Sequence, residues 1–157
     1  VLRVRLLDML LGDWDRHAGN YAWSTLDSGG QKFYYVIPRD RDFALYSTGG
    51  LLPAVAKVSF EPYLVGFRKK TTNLKKLNKK AWAFDKFFLK DLTRADWENT
   101  TKHFVAQMND GVIDAAVKAM PPEIQQLSGS SLAATLKERR NTMFENVMRY
   151  YQFISRR

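Results

Sequence analysis

Leucines set the first pattern of the chain. Leu2, Leu6, Leu7, Leu10 and Leu11 recur at spacings of three and four, with Arg3, Arg5 and Asp8 between them. That period predicts an amphipathic helix over residues 2–12, ending near Gly12. The pattern then changes to aromatic and β-branched runs, Asn20 to Leu26 and Lys32 to Ile37, on either side of Asp27-Ser28-Gly29-Gly30-Gln31. Such runs around a Gly-Gly predict a β-hairpin. Pro38, which has no N–H to give, stops the second strand from pairing onward. From Tyr46 to about Gly66, Gly49-Gly50, Pro53 and Pro62 interrupt apolar residues that have no clear period. This reads as an irregular loop ordered by packing of Phe60, Tyr63 and Phe67.

Helical periods return towards the C-terminus. Thr93-Arg94-Ala95-Asp96 has the form of a capping box with Asp in place of Glu, opening a helix to about Met108 with Trp97, Thr101, Phe104 and Met108 on one face. Asn109 or Asp110 can cap a second helix from Val112 to Met120, and Pro121-Pro122 stop it and begin a short turn to Leu127. Ser128 to Ser131 lead into a long helix that places Leu132, Leu136, Met143, Val147, Tyr150 or Tyr151 and Ile154 at helical intervals. No internal repeat is evident. The expected fold class is α+β, mainly α, with one small hairpin, in a single domain over residues 1–157.

Composition narrows the choice of function. A chain of 157 residues buries roughly two thirds of its unfolded surface, and 45% hydrophobic with 13% aromatic residues argues against bulk disorder. No stretch has the roughly twenty apolar residues that span a bilayer. The start at Val1, without Met or signal-peptide flanks, reads as a fragment of a longer protein. With no Cys and only His17 and His103, thiolate chemistry, disulfides and the usual zinc sites are excluded. A formal charge of +9 favours polyanionic partners. That charge is local, because residues 68–90 carry nine Lys or Arg against Asp85 alone. The stretch reads as a solvated loop, with binding of a phosphorylated substrate or nucleic acid as the alternative. Its Trp82, Phe84, Phe87 and Phe88 cluster as a core-facing group would and do not alternate with the lysines as stacking platforms would.

Two acidic motifs carry the candidate chemistry: Gly12-Asp13-Trp14-Asp15-Arg16-His17-Ala18-Gly19-Asn20 and Ile37-Pro38-Arg39-Asp40-Arg41-Asp42-Phe43. Phosphoryl transfer needs an acceptor held in line and divalent metal to neutralise phosphate, with little covalent chemistry from the protein. Hard Mg²⁺ or Mn²⁺ takes carboxylate and amide oxygens. Asp15, Asn20 and Asp40 supply such groups, and the hairpin between them returns the chain so that the second acid can lie beside the first motif. Around these residues, Asp13 is expected to be structural. His17 is expected to orient the loop through a bond to a backbone carbonyl or an Asp, and His103 to be a surface or packing residue. Arg39 and Arg41 either contact phosphate or balance Asp13, Asp15, Asp40 and Asp42. Arg139 and Arg140 are expected on a helix face, pairing with Glu138 or an acid of the first motif.

Asp15-Arg16-His17-x-x-Asn20 resembles the D-R-H-x-x-N catalytic loop of phosphoinositide lipid kinases, and the run Gly12 to His17 looks like the G-N-x-D-R-H of secretory-pathway protein kinases. Ile37 to Ala44 is similar to the I-P-W-D-F-D segment of spore-coat CotH-type kinases, with Arg39 in place of the Trp and Arg41 of the Phe. The resemblance covers residues 6–46. It implies a protein-kinase-like C-terminal lobe whose hairpin carries the metal motif, with the N-terminal nucleotide-binding lobe of the parent chain as a missing partner. It further implies Asp15 as the catalytic residue, Arg16 and His17 at the nucleotide, Asn20 and Asp40 as ligands of Mg²⁺ or Mn²⁺, and ATP as the donor. Asp42 falls at the Gly of the kinase D-F-G, or is itself the metal ligand if Asp42-Phe43-Ala44 is aligned there. The longer arrangement, including the Leu92 to Trp97 and Leu136 to Arg140 segments, resembles uncharacterised CotH-like segments of large bacterial envelope proteins, which implies an envelope or extracytoplasmic location. The function so implied is a metal-dependent ATP phosphotransferase of unknown acceptor. The alternative is a non-catalytic, pseudokinase-like domain that binds a polyanion or protein partner through residues 68–90.

Overall fold

The computed structural model describes residues 1–46, 66–71 and 73–156. The irregular segment expected from Tyr46 to about Gly66 lies, apart from its two ends, outside the described residues. The fold is α+β and mainly helical, with one two-stranded antiparallel hairpin.

The leucine-rich opening forms α1, Leu2–Leu11. It stops where the sequence provides a glycine: Gly12 sits in the left-handed region at φ 69°, and Asp13 N–H returns to the Asp8 carbonyl at 3.0 Å. A short 3-10 turn, Ala18–Asn20, leads into β1, Tyr21–Ser28, and β2, Gln31–Pro38, in the register Tyr21↔Pro38 to Ser28↔Gln31. Gly29 and Gly30 have φ of 58° and 75°. Two consecutive positive φ values are what a two-residue hairpin turn matched to the strand twist requires.

From Leu74 onward the basic stretch is mostly helical, contrary to the solvated loop expected of it. Leu74–Leu77 forms α2 and Trp82–Leu89 forms α3. Leu74 and Leu77 of α2 and Phe84 and Leu89 of α3 turn inward, and these buried contacts outweigh the like charge on the exposed side. Of the four aromatics expected to face the core, only Phe84 is buried. Trp82, Phe87 and Phe88 are 43%, 75% and 37% exposed.

Four helical elements follow in the expected order. In α4, Arg94–Gln107, the capping box forms: Asp96 N–H donates to Thr93 Oγ1 at 3.2 Å and Thr93 N–H to Asp96 Oδ2 at 2.8 Å. Helix α5 runs Asp110–Lys118, two residues ahead of the expected span, because Asn109 is the cap and accepts from Val112 N–H at 3.0 Å. The turn α6, Pro122–Ile124, continues through a π segment, Gln125–Gly129, into α7, Ser130–Ile154. Ser128 to Ser131 therefore belong to a helical run instead of a separate lead-in.

The core lies between α1, α4 and α7. Leu2, Leu6, Met9 and Leu10 meet Trp97, Phe104, Leu136, Met143, Val147, Tyr150 and Ile154. Each fully buried aliphatic side chain of this set contributes about 2 kcal/mol relative to exposure. The hairpin stands at one edge of this core. Its residues Tyr21 and Trp23 pack on α3, with ring centroids 4.3 Å from Phe84 and 5.0 Å from Phe88. The opposite face of the hairpin leaves Leu26, Phe33, Tyr35 and Ile37 exposed.

Candidate functional site

Beneath the hairpin lies a buried network of charge. Arg5 and Asp8 of α1 and Asp85 of α3 are each fully buried. Arg5 forks onto Asp85 through Nε to Oδ1 at 2.7 Å and a second nitrogen to Oδ2 at 3.1 Å. It also donates to Asp8 Oδ2 at 2.8 Å, Asn78 Oδ1 at 2.8 Å and the Tyr21 hydroxyl at 3.0 Å. Tyr21 donates its proton to Asp8 at 2.7 Å, and Tyr150 donates to Asp85 at 2.8 Å. Burial by itself lowers the Arg5 pKa, but Asp85, with Tyr21 and Asp8, outweighs this and holds Arg5 well above its ordinary range. Burial pushes the Tyr21 hydroxyl up to about 12 despite Arg5, so it stays a donor to Asp8.

Arg16 ties the first acidic motif to the second. Only 1% exposed, it donates to the carbonyl of Arg39 at 2.6 Å, to that of Asp40, and to that of Asn20 at 3.2 Å. Its guanidinium stands 4.7 Å over the Tyr21 ring. The resemblance places Arg16 at a nucleotide; the structure instead turns its fork onto protein carbonyls, where it acts as a clamp. Asp13 lies 3.6 Å from Arg16 and is 2% exposed. Burial raises its carboxyl to about 6, with Arg16 opposing the shift and Asp8 adding to it.

The clamp leaves Asn20 beside Asp40. His17 N–H donates to Asn20 Oδ1 at 2.9 Å, which fixes the amide so that Nδ2 donates to Asp40 Oδ2 at 3.2 Å. Asp40 is exposed, at a φ of 51°. For a residue other than glycine that conformation is uncommon, and Asp is among those that tolerate it. The bend directs the chain from the end of β2 back over the loop. His17 is exposed and accepts from Gly19 N–H at 3.1 Å through Nδ1. It orients the loop as an acceptor at the 3-10 turn, not by donating to a carbonyl or an Asp.

Asp42 is exposed in the turn after Asp40 and has no hydrogen bond or ion pair among the described residues. Arg41 lies 2.5 Å from Asp8 Oδ1, a close ion pair that is not aligned as a hydrogen bond. It thus pairs with an acid of α1, and of the four expected acids it acts on Asp13, whose raised carboxyl it opposes. Phe43 follows and meets the buried Trp14 at 4.8 Å.

Asp15, the expected catalytic residue, points at the basic segment. Lys80 Nζ donates to Asp15 Oδ1 at 2.6 Å, and the ammonium stands 4.8 Å over the Trp14 ring. Arg139 also departs from expectation. It is 4% exposed and donates to the carbonyls of Leu10 at 2.7 Å, Met9 at 2.6 Å and Arg68 at 3.0 Å. It caps the end of α1 from which the first motif emerges, while Arg140 pairs with Asp110 at 2.6 Å. Neither meets Glu138 or the first motif's acids, because the carbonyls at the end of α1 offer a buried Arg partners that a helix face does not. Burial brings Arg139 down to about 10. His103 is exposed on α4.

The arrangement brings Asn20 and Asp40 together, while Asp15, on the same loop as Asn20, turns to Lys80. Among the described residues no three His, Cys, Asp or Glu side chains converge on one point, and no helix is long and apolar enough to cross a membrane. Asn20 turns Nδ2 to Asp40 and Oδ1 to His17 N–H, so its amide must rotate to bring its oxygen beside the carboxylate on a hard divalent cation that takes its remaining oxygens from phosphate and water. The two side chains do not make an all-protein cage. Comparison with protein-family models, with curated proteins and with solved structures gives no match to this chain.

Proposed function

We propose that this chain is the catalytic lobe of a metal-dependent ATP phosphotransferase of the atypical, kinase-like type. The observation that carries the reading is the 3.2 Å approach of Asn20 to Asp40, residues from two separate motifs, on a loop and turn held together by the buried Arg16. Asn20 and Asp40 are the residues that would hold Mg²⁺ or Mn²⁺, which supplies charge neutralisation at the phosphate oxygens. Asp15 accepts the acceptor's proton at its carboxylate as the acceptor oxygen bonds to the terminal phosphorus and the bond to the ADP oxygen breaks. A nucleotide-binding lobe is the partner, and the bacterial envelope the location, that go with the resemblance.

Thermal unfolding with Mn²⁺, with and without ATP, tests this in the wild type and in Asp40→Ala. Ligand at a hundredfold over its dissociation constant adds about 2.7 kcal/mol, a rise of roughly 5–10 °C at this size. A metal-dependent rise lost in Asp40→Ala supports the reading; equal rises in both proteins sink it.

The second reading is a non-catalytic polyanion-binding domain. It is favoured by the burial of Asp85, which leaves the exposed face of residues 68–90 without an acid among the described residues. Neutralising Lys75, Lys76 and Lys79 should then abolish salt-sensitive binding to a polyanion such as heparin while leaving the metal-dependent response intact.

A further inference from the structure

Lys80 does not behave as one more charge of a basic stretch. The segment that bears it is pinned on both sides by one residue: Asn78 and Asp85 each bond to Arg5, at 2.8 Å and 2.7 Å. Ala81, next in the chain, is fully buried, and Phe84 stacks on Tyr21 of the hairpin at 4.3 Å. The backbone at position 80 is therefore fixed against the same network that anchors the first motif. From there the side chain crosses to Trp14, lies along its ring, and ends on Asp15.

The pair has a further property. The side chains of Lys80 and Asp15 are 29% and 26% exposed, whereas the Arg5 pairs are wholly buried. A solvent-facing ion pair of this kind contributes little to stability, and its ammonium has three N–H donors that can point in different directions. An oxyanion arriving beside Asp15 can take one of them without leaving a buried charge unpaired. Lys75 and Lys76 are exposed and lie outside the span between Asn78 and Asp85 that Arg5 pins, and the Lys75 ammonium stands 4.4 Å over the Phe153 ring.

We propose that Lys80 is a phosphate-binding residue of the candidate site, taking the terminal phosphoryl group of a nucleoside triphosphate where it meets Asp15. The assignment rests on the phosphotransferase reading. It moves one lysine out of the basic stretch and into the catalytic assembly, and it explains why a segment 65 residues from Asp15 in the chain is folded against that loop. Lys80 offers two fixed consequences: the terminal phosphate is distinguished from the inner ones, and Asp15 Oδ1 is held while the other oxygen faces the acceptor.

Calorimetric titration of the full chain with ATP and with ADP, each with Mn²⁺, tests it in the wild type, Lys80→Ala, Lys80→Arg and Lys76→Ala. In the expected result the wild type prefers ATP. Lys80→Ala then loses ten- to a hundredfold of ATP affinity, on the order expected for a charge-assisted bond, with ADP affinity unchanged. Lys80→Arg restores most of the preference, and Lys76→Ala resembles the wild type. Equal weakening of ATP and ADP in Lys80→Ala, or the same loss in Lys76→Ala, overturns the assignment, since the effect would then be structural or a general matter of charge. Thermal unfolding of each variant without ligand identifies a folding defect, and Lys80→Arg keeps the test decisive if Lys80→Ala is unstable. Absence of Mn²⁺-dependent nucleotide binding in the wild type overturns the phosphotransferase reading itself, and Lys80's role with it. Nucleotide binding that lacks any ATP preference in the wild type overturns Lys80 alone.

Discussion

Arg5 and Asp85 lie 80 residues apart in the chain and meet as a two-pronged ion pair with no solvent exposure on either side. This pair fixes α1 to α3, and its neighbours carry the loop of the first acidic motif on one side and Lys80 on the other. Removing one partner leaves the other charged in a low-dielectric interior, which costs about 3–5 kcal/mol. Arg5→Met and Asp85→Leu should each lower the melting temperature by roughly 8–15 °C in a domain of this size. Differential scanning calorimetry checks this; a change within about 0.5 kcal/mol, the range for surface substitutions, would show that the pair does not hold the fold.

Arg139 gives a second test, at the opposite end of α1. Two of its three bonds, to the carbonyls of Leu10 and Met9, close the buried end of α1, where Met9 also accepts from Gly12 N–H at 3.3 Å, and the third reaches Arg68. Arg139→Met should cost about 2–3 kcal/mol. Hydrogen exchange should show the loss of protection concentrated at residues 9–14. Gly12 beside it is constrained in two ways: φ is 69°, and an added Cβ would lie 3.2 Å from the Phe67 ring and 3.3 Å from an Arg139 nitrogen. Gly12→Ala should therefore be destabilising by at least about 1 kcal/mol, where an ordinary helix-end alanine would be neutral.

What the sequence made legible, and what it hid, divides along contact range. The end of α1 at Gly12, the Gly29-Gly30 turn and the Thr93 capping box depend on residues within a few positions of each other, and each appears where the pattern predicts it. The roles of Arg5, Asp85, Lys80 and Arg139 depend on partners 65 to 130 residues away, and periodicity is blind to these. A signal for Arg5 and Asp8 did exist. Two opposite charges three apart, set among leucines that already cover most of the helix surface, are more easily buried as a pair than exposed singly. In the basic stretch, counting charge concealed a Leu74, Leu77, Phe84, Leu89 stripe that folds it into helices.

Asp13 makes stability depend on pH. Its carboxyl, ordinarily near 3.8, is raised to about 6 in the folded chain, chiefly by burial. The folded state thus holds the proton more firmly than the unfolded state, so this group's contribution is fully present below about 4 and is lost as pH rises to about 6. After allowance for solvent screening, ionisation costs up to about 2 kcal/mol. Asp13→Asn, which keeps an acceptor for the loop, should raise stability at pH 7 by about 1–2 kcal/mol and change little at pH 4. Urea unfolding across that range checks the sign: a mutant less stable than wild type at pH 7 would mean that charged Asp13 is needed by Arg16.

Asp40 allows its backbone and its carboxylate to be tested separately. At φ 51° it occupies a region that costs non-glycine residues about 1 kcal/mol. Its carboxylate is exposed, with Asn20 Nδ2 as its donor at 3.2 Å, so the side chain adds little to the core. Asp40→Gly removes that strain but adds freedom to the unfolded chain, and the two effects nearly cancel, leaving stability within about 1 kcal/mol of wild type. Under the phosphotransferase reading the same variant should lose the Mn²⁺-dependent response to ATP, whereas Asp42→Asn, in the exposed turn and without a bond to Asn20, should keep it. Thermal unfolding of the two variants with and without Mn²⁺-ATP decides between the carboxylates. The reverse outcome, response kept in Asp40→Gly and lost in Asp42→Asn, would assign the metal to Asp42 and leave Asp40 as a turn residue that tolerates a left-handed backbone for purely structural reasons.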